Sequence, residues 1–344
     1  MTTSRQRWGR RGVVSVVLVG SLSGSIVAVV GAVPATAAVS APTRPSVGGA
    51  TAGPATSPGA VRSKSNSYCQ PTAKKLCPEN NTVWSGYVVS PLQNRQFRSV
   101  SASWVQPVAT CRPKTSPSAW SLFWVGLDGW SSSFDGSTVE QGGSYAQCVG
   151  TSHVPVYSVW WEMFPTNDIV PEFAISAHDH IDASVTFDPT AETYTVSVTD
   201  DTSGQSMLVV ATSQTAAVNP NTYTVTVDGV TTGPTSFAVP GDQSSVLCSY
   251  AAPCQNGSAE WVVEAPGGAN GGSNSTHYPL ARFRPMVFTS ATATDSAGNS
   301  GPILDAAWSP TALDLTTWSG LYLASVTQLK SNGGQFRDVW VPAN

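Results

Sequence analysis

Thr193-Tyr194-Thr195-Val196-Ser197-Val198-Thr199 decides the fold. Hydroxyl residues alternate with apolar ones, the period of a strand with one buried face and one wet face. The texture recurs in Thr222-Tyr223-Thr224-Val225-Thr226-Val227, which runs into Asp228-Gly229, a pair that favours a two-residue hairpin turn. Ala183 to Phe187, Glu260 to Glu264, Met286 to Thr289 and Phe336 to Val341 read similarly, with turn residues between them. No amphipathic helix longer than two turns stands out, and no internal repeat. From about residue 79 the chain is expected to be all-β, a sandwich of two large antiparallel sheets or a barrel.

The N-terminus has a different character. Arg5, Arg7, Arg10 and Arg11 form a positive region, an apolar small-residue stretch follows from about Gly12 to Val33, and Ala35-Thr36-Ala37 is an A-x-A pattern before Ala38. This predicts a cleaved secretory signal peptide over residues 1–37, with an uncleaved anchor as the competing reading of so long an apolar run. Arg10-Arg11 points to a twin-arginine route. Residues 38–78 are expected to be a linker or propeptide, rich in Ala, Pro, Ser, Thr and Gly to about residue 66 and ending in a small disulfide loop. Residues 79–344 form the β domain.

Charge follows the same division. The chain carries 17 Lys and Arg against 21 Asp and Glu. All the acids lie at or beyond Glu79, so residue 78 onward has 8 basic minus 21 acidic groups, or −13. So acidic a domain argues against nucleic-acid and anionic-membrane partners. Only 11% of residues are charged, so acid has few ion pairs to break. Six cysteines in an exported chain imply disulfides, with fifteen possible pairings. Sequence proximity favours Cys69–Cys77 and Cys248–Cys254, leaving Cys111–Cys148.

Several common catalytic machineries are missing. The chain has no G-x-S-x-G elbow, H-E-x-x-H, Walker loop or strand-following G-x-G-x-x-G. His153, His178, His180 and His277 are its four histidines, so a serine or cysteine nucleophile has few bases to choose from. His178 and His180 would share one face of a strand and suit zinc, against a plainer reading as a polar strand edge. No cofactor is expected. In Tyr157 to Pro165, Ser158, Trp160, Glu162 and Phe164 share one face, and Val159, Trp161 and Met163 the other. A face of aromatics with one carboxylate resembles a ligand groove more than a core. Glu260, Val262 and Glu264 likewise share a face, and Gly267 to Ser275 is a flexible loop placed to move over it.

Four blocks then occur in order: Phe123-Trp124-Val125-Gly126-Leu127-Asp128-Gly129, Gln141-Gly142-Gly143, Val159-Trp160-Trp161-Glu162-Met163-Phe164-Pro165 and Ala259-Glu260-Trp261-Val262-Val263-Glu264. Their order and spacing resemble the glutamic peptidases, or eqolisins, whose blocks read A-W-V-G-I-D-G, L-Q-T-G, A-W-Y-E-W-Y-P and A-E-W-I-V-E. Thr82 to Gly86 upstream and Ala281 to Thr289 downstream extend the match. The resemblance implies two curved antiparallel sheets with a concave substrate groove and no metal. It implies Gln141 and Glu264 as a catalytic dyad, with Trp84, Trp124, Asp128, Trp160 and Glu162 binding substrate. Glu264 would take a proton from water and Gln141 would hold the oxyanion. An ordinary glutamate pKa of ~4.3 would leave carboxylate present down to about pH 3 to 4.

This sequence departs from the family pattern at Glu140 (usually Leu), Gly142 (Thr), Tyr145 (Asp), Met163 and Phe164 (both aromatic). Glu140 should face away from Gln141 unless the strand bulges at Gly142-Gly143. The expected protein is a secreted, monomeric acid endopeptidase acting on polypeptides, insensitive to pepstatin, with no membrane association after signal cleavage. The rival is a carbohydrate-active sandwich, glycosidase or lectin-like, with Glu162 and Glu264 as paired carboxylates. A third reading is a catalytically dead protein of the same fold.

Overall fold

The computed structural model describes residues 76–93, 95–111, 118–130, 138–149, 154–164, 169–212, 222–237, 256–266 and 278–342. The chain divides into two units, Met1–Pro42 and Thr43–Asn344, and every described residue belongs to the second. The expected signal peptide, the linker as far as residue 75, the Gly267 to Ser275 loop, His153, His277, Cys69, Cys248 and Cys254 lie outside the described residues.

Among the described residues there are twenty strands and no helix. Thr193 to Thr199 lies in strand Thr193–Asp200, whose valines and tyrosine are buried while its hydroxyl residues are only half-buried. Thr222–Val227 and Val230–Ser236 form the expected hairpin. Asp228 and Gly229 turn it with φ of 49° and 80°, the positive pair that matches the strands' right-handed twist. The other expected segments are strands His180–Asp188, Ala259–Glu264, Met286–Asp295 and Phe336–Trp340.

One antiparallel layer runs Trp308–Thr316, Trp84–Pro91, Ala259–Glu264, Ala119–Leu127, Val139–Cys148, Pro155–Phe164 and Val170–Ala174. The other runs Val230–Ser236, Thr222–Val227, Gln205–Thr212, Thr193–Asp200, His180–Asp188, Phe97–Val105 and Met286–Asp295. Met286–Asp295 ties the layers together: Met286 to Phe288 pair with Phe336–Trp340, and Thr289 onward with Phe97–Val105. The fold is thus a β-sandwich. Val139–Cys148 packs over His180–Asp188 and Thr193–Asp200 without hydrogen bonding to either.

The main core between the layers includes Phe123, Val125, Val159, Trp161, Met163, Val196, Val198, Trp261 and Val263. At Gly142 the layers approach so closely that a Cβ would stand 2.3 Å from Val196 Cγ1. That contact explains why glycine replaces the family's threonine there. A disulfide joins Cys111 to Cys148, the ends of two neighbouring segments. Cys77 is also disulfide-bonded, to a residue outside the described ones.

Candidate active site

A second apolar cluster forms on the outer face of the first layer: Trp84, Val88, Trp120, Leu122, Trp124, Tyr145, Trp160 and Val262. Alternation explains its membership. Residues 120, 122 and 124 of one strand face outward while 123 and 125 enter the core. In Pro155–Phe164, Trp160 faces this cluster while Val159, Trp161 and Met163 enter the core, as the sequence indicated. Trp120 escaped the sequence reading, although its spacing from Trp124 places both on one face. Its ring lies 5.1 Å from that of Tyr145 and 6.3 Å from that of Tyr278.

The polar candidates are set into this apolar face. Gln141 stands opposite Gly126 and Glu162. Glu264 stands opposite Leu122 and Trp84. Gln141 and Glu264 therefore lie on strands separated by one strand, the one that carries Trp124. The indole nitrogen of Trp124 donates to Glu264 Oε2 at 2.9 Å. The same ring extends over Gly126, where a Cβ would meet Trp124 Cζ3 at 2.8 Å and Gln141 Cβ at 3.3 Å. Glycine at 126 is what lets one indole fill the space between Gln141 and Glu264. Trp84 packs edge-on against Trp124, with ring centroids 5.2 Å apart.

Gln141 and Glu162 meet directly: Gln141 Nε2 donates to Glu162 Oε2 at 2.8 Å. Both are buried, as are Glu264, Trp84, Trp124 and Trp160. Trp160 Nε1 donates to the carbonyl of Ser144, which fixes its ring against the neighbouring strand. Asp128 has a separate task. Its carboxylate accepts from the backbone of Asn256 at 2.8 Å and Gly257 at 2.6 Å, anchoring the segment that leads into the Glu264 strand. It does so from a left-handed backbone with φ of 63°.

The electrostatics differ from expectation. Burial pushes Glu264 up to about 8, and the Trp124 hydrogen bond opposes the rise. This carboxyl therefore lies above the ordinary glutamate range. Burial also lifts Asp128 to about 6 against its two backbone donors. Glu140 and Glu260 are held well above the usual range, first by burial and then by neighbouring carboxyls.

The strand carrying Gln141 pairs without a register shift from Val139 to Cys148. Glu140 therefore points away from Gln141 and is fully buried. The histidine pair does not share a strand face. His178 occupies a turn with φ of 78°, and His180 opens the strand. Both line a separate cavity of about 690 Å³ with Trp104, Gln106 and Arg284, away from Gln141 and Glu264. Among the described residues no group of His, Cys, Asp and Glu is arranged to hold a metal ion, and no helix is long and apolar enough to cross a membrane.

Residues 82–333 match the model of the peptidase A4 family. No curated protein sequence matches the chain. Among solved structures, scytalidoglutamic peptidase with a peptide-based transition-state analogue aligns at a TM-score of 0.50 and 20% identity, covering 76% of this chain and 100% of that one. SCP-B, a member of the eqolisin family in complex with the tripeptide Ala-Ile-His, gives 0.48 at 20% identity over 76% and 100%. Aspergilloglutamic peptidase from Aspergillus niger gives 0.42 at 23% identity over 65% and 99%. At these identities the first likeness bears on the fold alone.

Proposed function

Because the chain belongs to the peptidase A4 family, we propose that it is a secreted acid endopeptidase, using Glu264 as general base and acid and Gln141 as oxyanion donor. Its substrates are polypeptides. Glu264 takes a proton from a water whose oxygen attacks the scissile carbonyl carbon. Gln141 donates an amide hydrogen to the oxygen on which charge develops. Glu264 then passes the proton to the leaving nitrogen as the C–N bond breaks, giving a carboxylic acid and an amine. Atoms and protons balance without a covalent intermediate or a cofactor.

The carrying observation is Trp124, whose ring fills the space between Gln141 and Glu264 while its N–H holds one oxygen of Glu264. It also bears on the charge of Glu264: burial is the first cause of that group's raised pKa, and the Trp124 donor, which favours the carboxylate, opposes the rise. Export through residues 1–37 belongs to the same proposal.

The carbohydrate reading has less support. Glu162 lies one strand further from Glu264 than Gln141 does, and its Oε2 accepts from Gln141. The test is to assay the purified enzyme on denatured protein and on a polysaccharide panel. Gln141→Ala and Glu264→Gln should each lower peptide hydrolysis by at least roughly 10²-fold, the usual effect of losing one oxyanion donor. Polysaccharide cleavage abolished by Glu162→Gln and retained in Gln141→Glu would favour the rival instead.

A further inference from the structure

We propose that Glu162 is a positioning residue for the reaction: it fixes which end of the Gln141 side-chain amide faces the substrate. The inference rests on the role proposed above for Gln141 and adds how that role is secured. Gln141 offers a carbonyl oxygen and an NH₂ group of nearly identical shape. Only the NH₂ group stabilises an oxyanion, and a flipped amide would present an oxygen to developing negative charge. In so buried a place, something must choose between the two.

Glu162 makes that choice. It is directly cross-strand from Gln141, and its Oε2 lies 2.8 Å from Gln141 Nε2. A flipped amide would set its carbonyl oxygen against a carboxylate oxygen at that distance, which is repulsive. In the observed orientation one amide hydrogen is committed to Glu162 and the second is left for substrate. The bond also holds the donor still, so little reorganisation is needed when the oxyanion forms. Both residues are buried, which restricts their movement, and Trp160 nearby is pinned by its bond to the Ser144 carbonyl.

This places Glu162 upstream of Gln141, so removing it should matter only while Gln141 is present. The experiment is a double-mutant cycle on the whole purified enzyme with a peptide cleaved at one bond, reading kcat and KM separately. Glu162→Leu fills the space without an acceptor and should lower kcat by about 10- to 100-fold with KM little changed. Glu162→Gln, whose amide can present either oxygen or NH₂ to Gln141, secures the orientation only in part and should fall between Glu162→Leu and the parent. In the Gln141→Ala background, Glu162→Leu should cost no more than about twofold further.

Equal losses from Glu162→Leu with and without Gln141 would overturn the positioning role and leave the dyad intact. So would a Glu162→Leu enzyme as active as the parent. Full activity in Gln141→Ala alone would instead remove the dyad itself, and the positioning role with it. If Glu162→Leu fails to fold, Glu162→Ala in both backgrounds gives the same comparison.

Discussion

Trp124 Nε1 and Glu264 Oε2 are 2.9 Å apart, and that bond opposes the rise that burial imposes on Glu264's pKa. A donor to a carboxylate stabilises the charged form, so losing it raises the pKa further. Trp124→Phe keeps the ring and deletes the donor. At a fixed acid pH a smaller share of Glu264 is then ionised, so kcat should fall about tenfold. Its ascending limb should move to higher pH. A pH series of kcat checks both; an unshifted limb would detach Trp124 from the chemistry.

Glu140 is a fully buried carboxyl, and burial, then Asp128, raise its pKa well above the usual range against weaker opposition from Thr138. For an acid with a raised folded pKa, stability is complete below the unfolded value, near 4.5. It is lost as pH climbs toward the folded one. Glu140→Leu, the residue usual in the family, should leave the melting temperature at pH 3 nearly unchanged. At pH 7 it should add about 1–3 kcal/mol. Equal shifts at both pH values would contradict this.

The same sign applies to the wild-type enzyme. Asp338 and Glu264 rise to about 8 and Asp128 to about 6, all chiefly through burial. Asp295 opposes them: burial would raise its pKa, but hydrogen bonds from Asn299, Arg95 and Ala297 outweigh it and lower the pKa, so its contribution is present in neutral solution and fades as pH falls below the ordinary aspartate range. Stability should therefore be greatest around pH 4 and decline progressively toward pH 8. Urea unfolding at intervals across that range measures it.

Gly142 is fixed by inter-layer packing. Gly142→Ala would bring a Cβ to 2.3 Å from Val196 Cγ1, and overpacking of this kind costs about 1–3 kcal/mol. Val196→Ala opens the same space, so the double variant should recover part of the loss relative to adding the two single effects. Denaturant midpoints of the four proteins decide whether the coupling exists.

The strands were legible wherever one face is wet, as in Thr193–Asp200, because alternation survives only when the two sides of a sheet differ. The Asp228-Gly229 turn was legible from its chemistry. In Ala119–Leu127 every residue is buried, so alternation is masked, and Trp120 was missed although it shares a face with Trp124. The direction of Glu140 followed from period two, but its burial in the inter-layer core depended on Thr193–Asp200 packing over it, which one strand's pattern does not disclose. Glu264's raised pKa was illegible for the same reason. Burial of a strand-end carboxyl is set by tryptophans from other strands, and no residue beside Glu264 in the sequence announces Trp124 or Trp84.

The most direct test of Glu264 as the proton-transferring group is kcat/KM on a denatured protein substrate from pH 2 to 8, with pepstatin and EDTA present. The chain from Ala38 onward and its Glu264→Gln variant would be run side by side. The account predicts activity confined to acid, resistant to both inhibitors and lowered at least about 10²-fold in the variant. Activity that survives Glu264→Gln unchanged would contradict it.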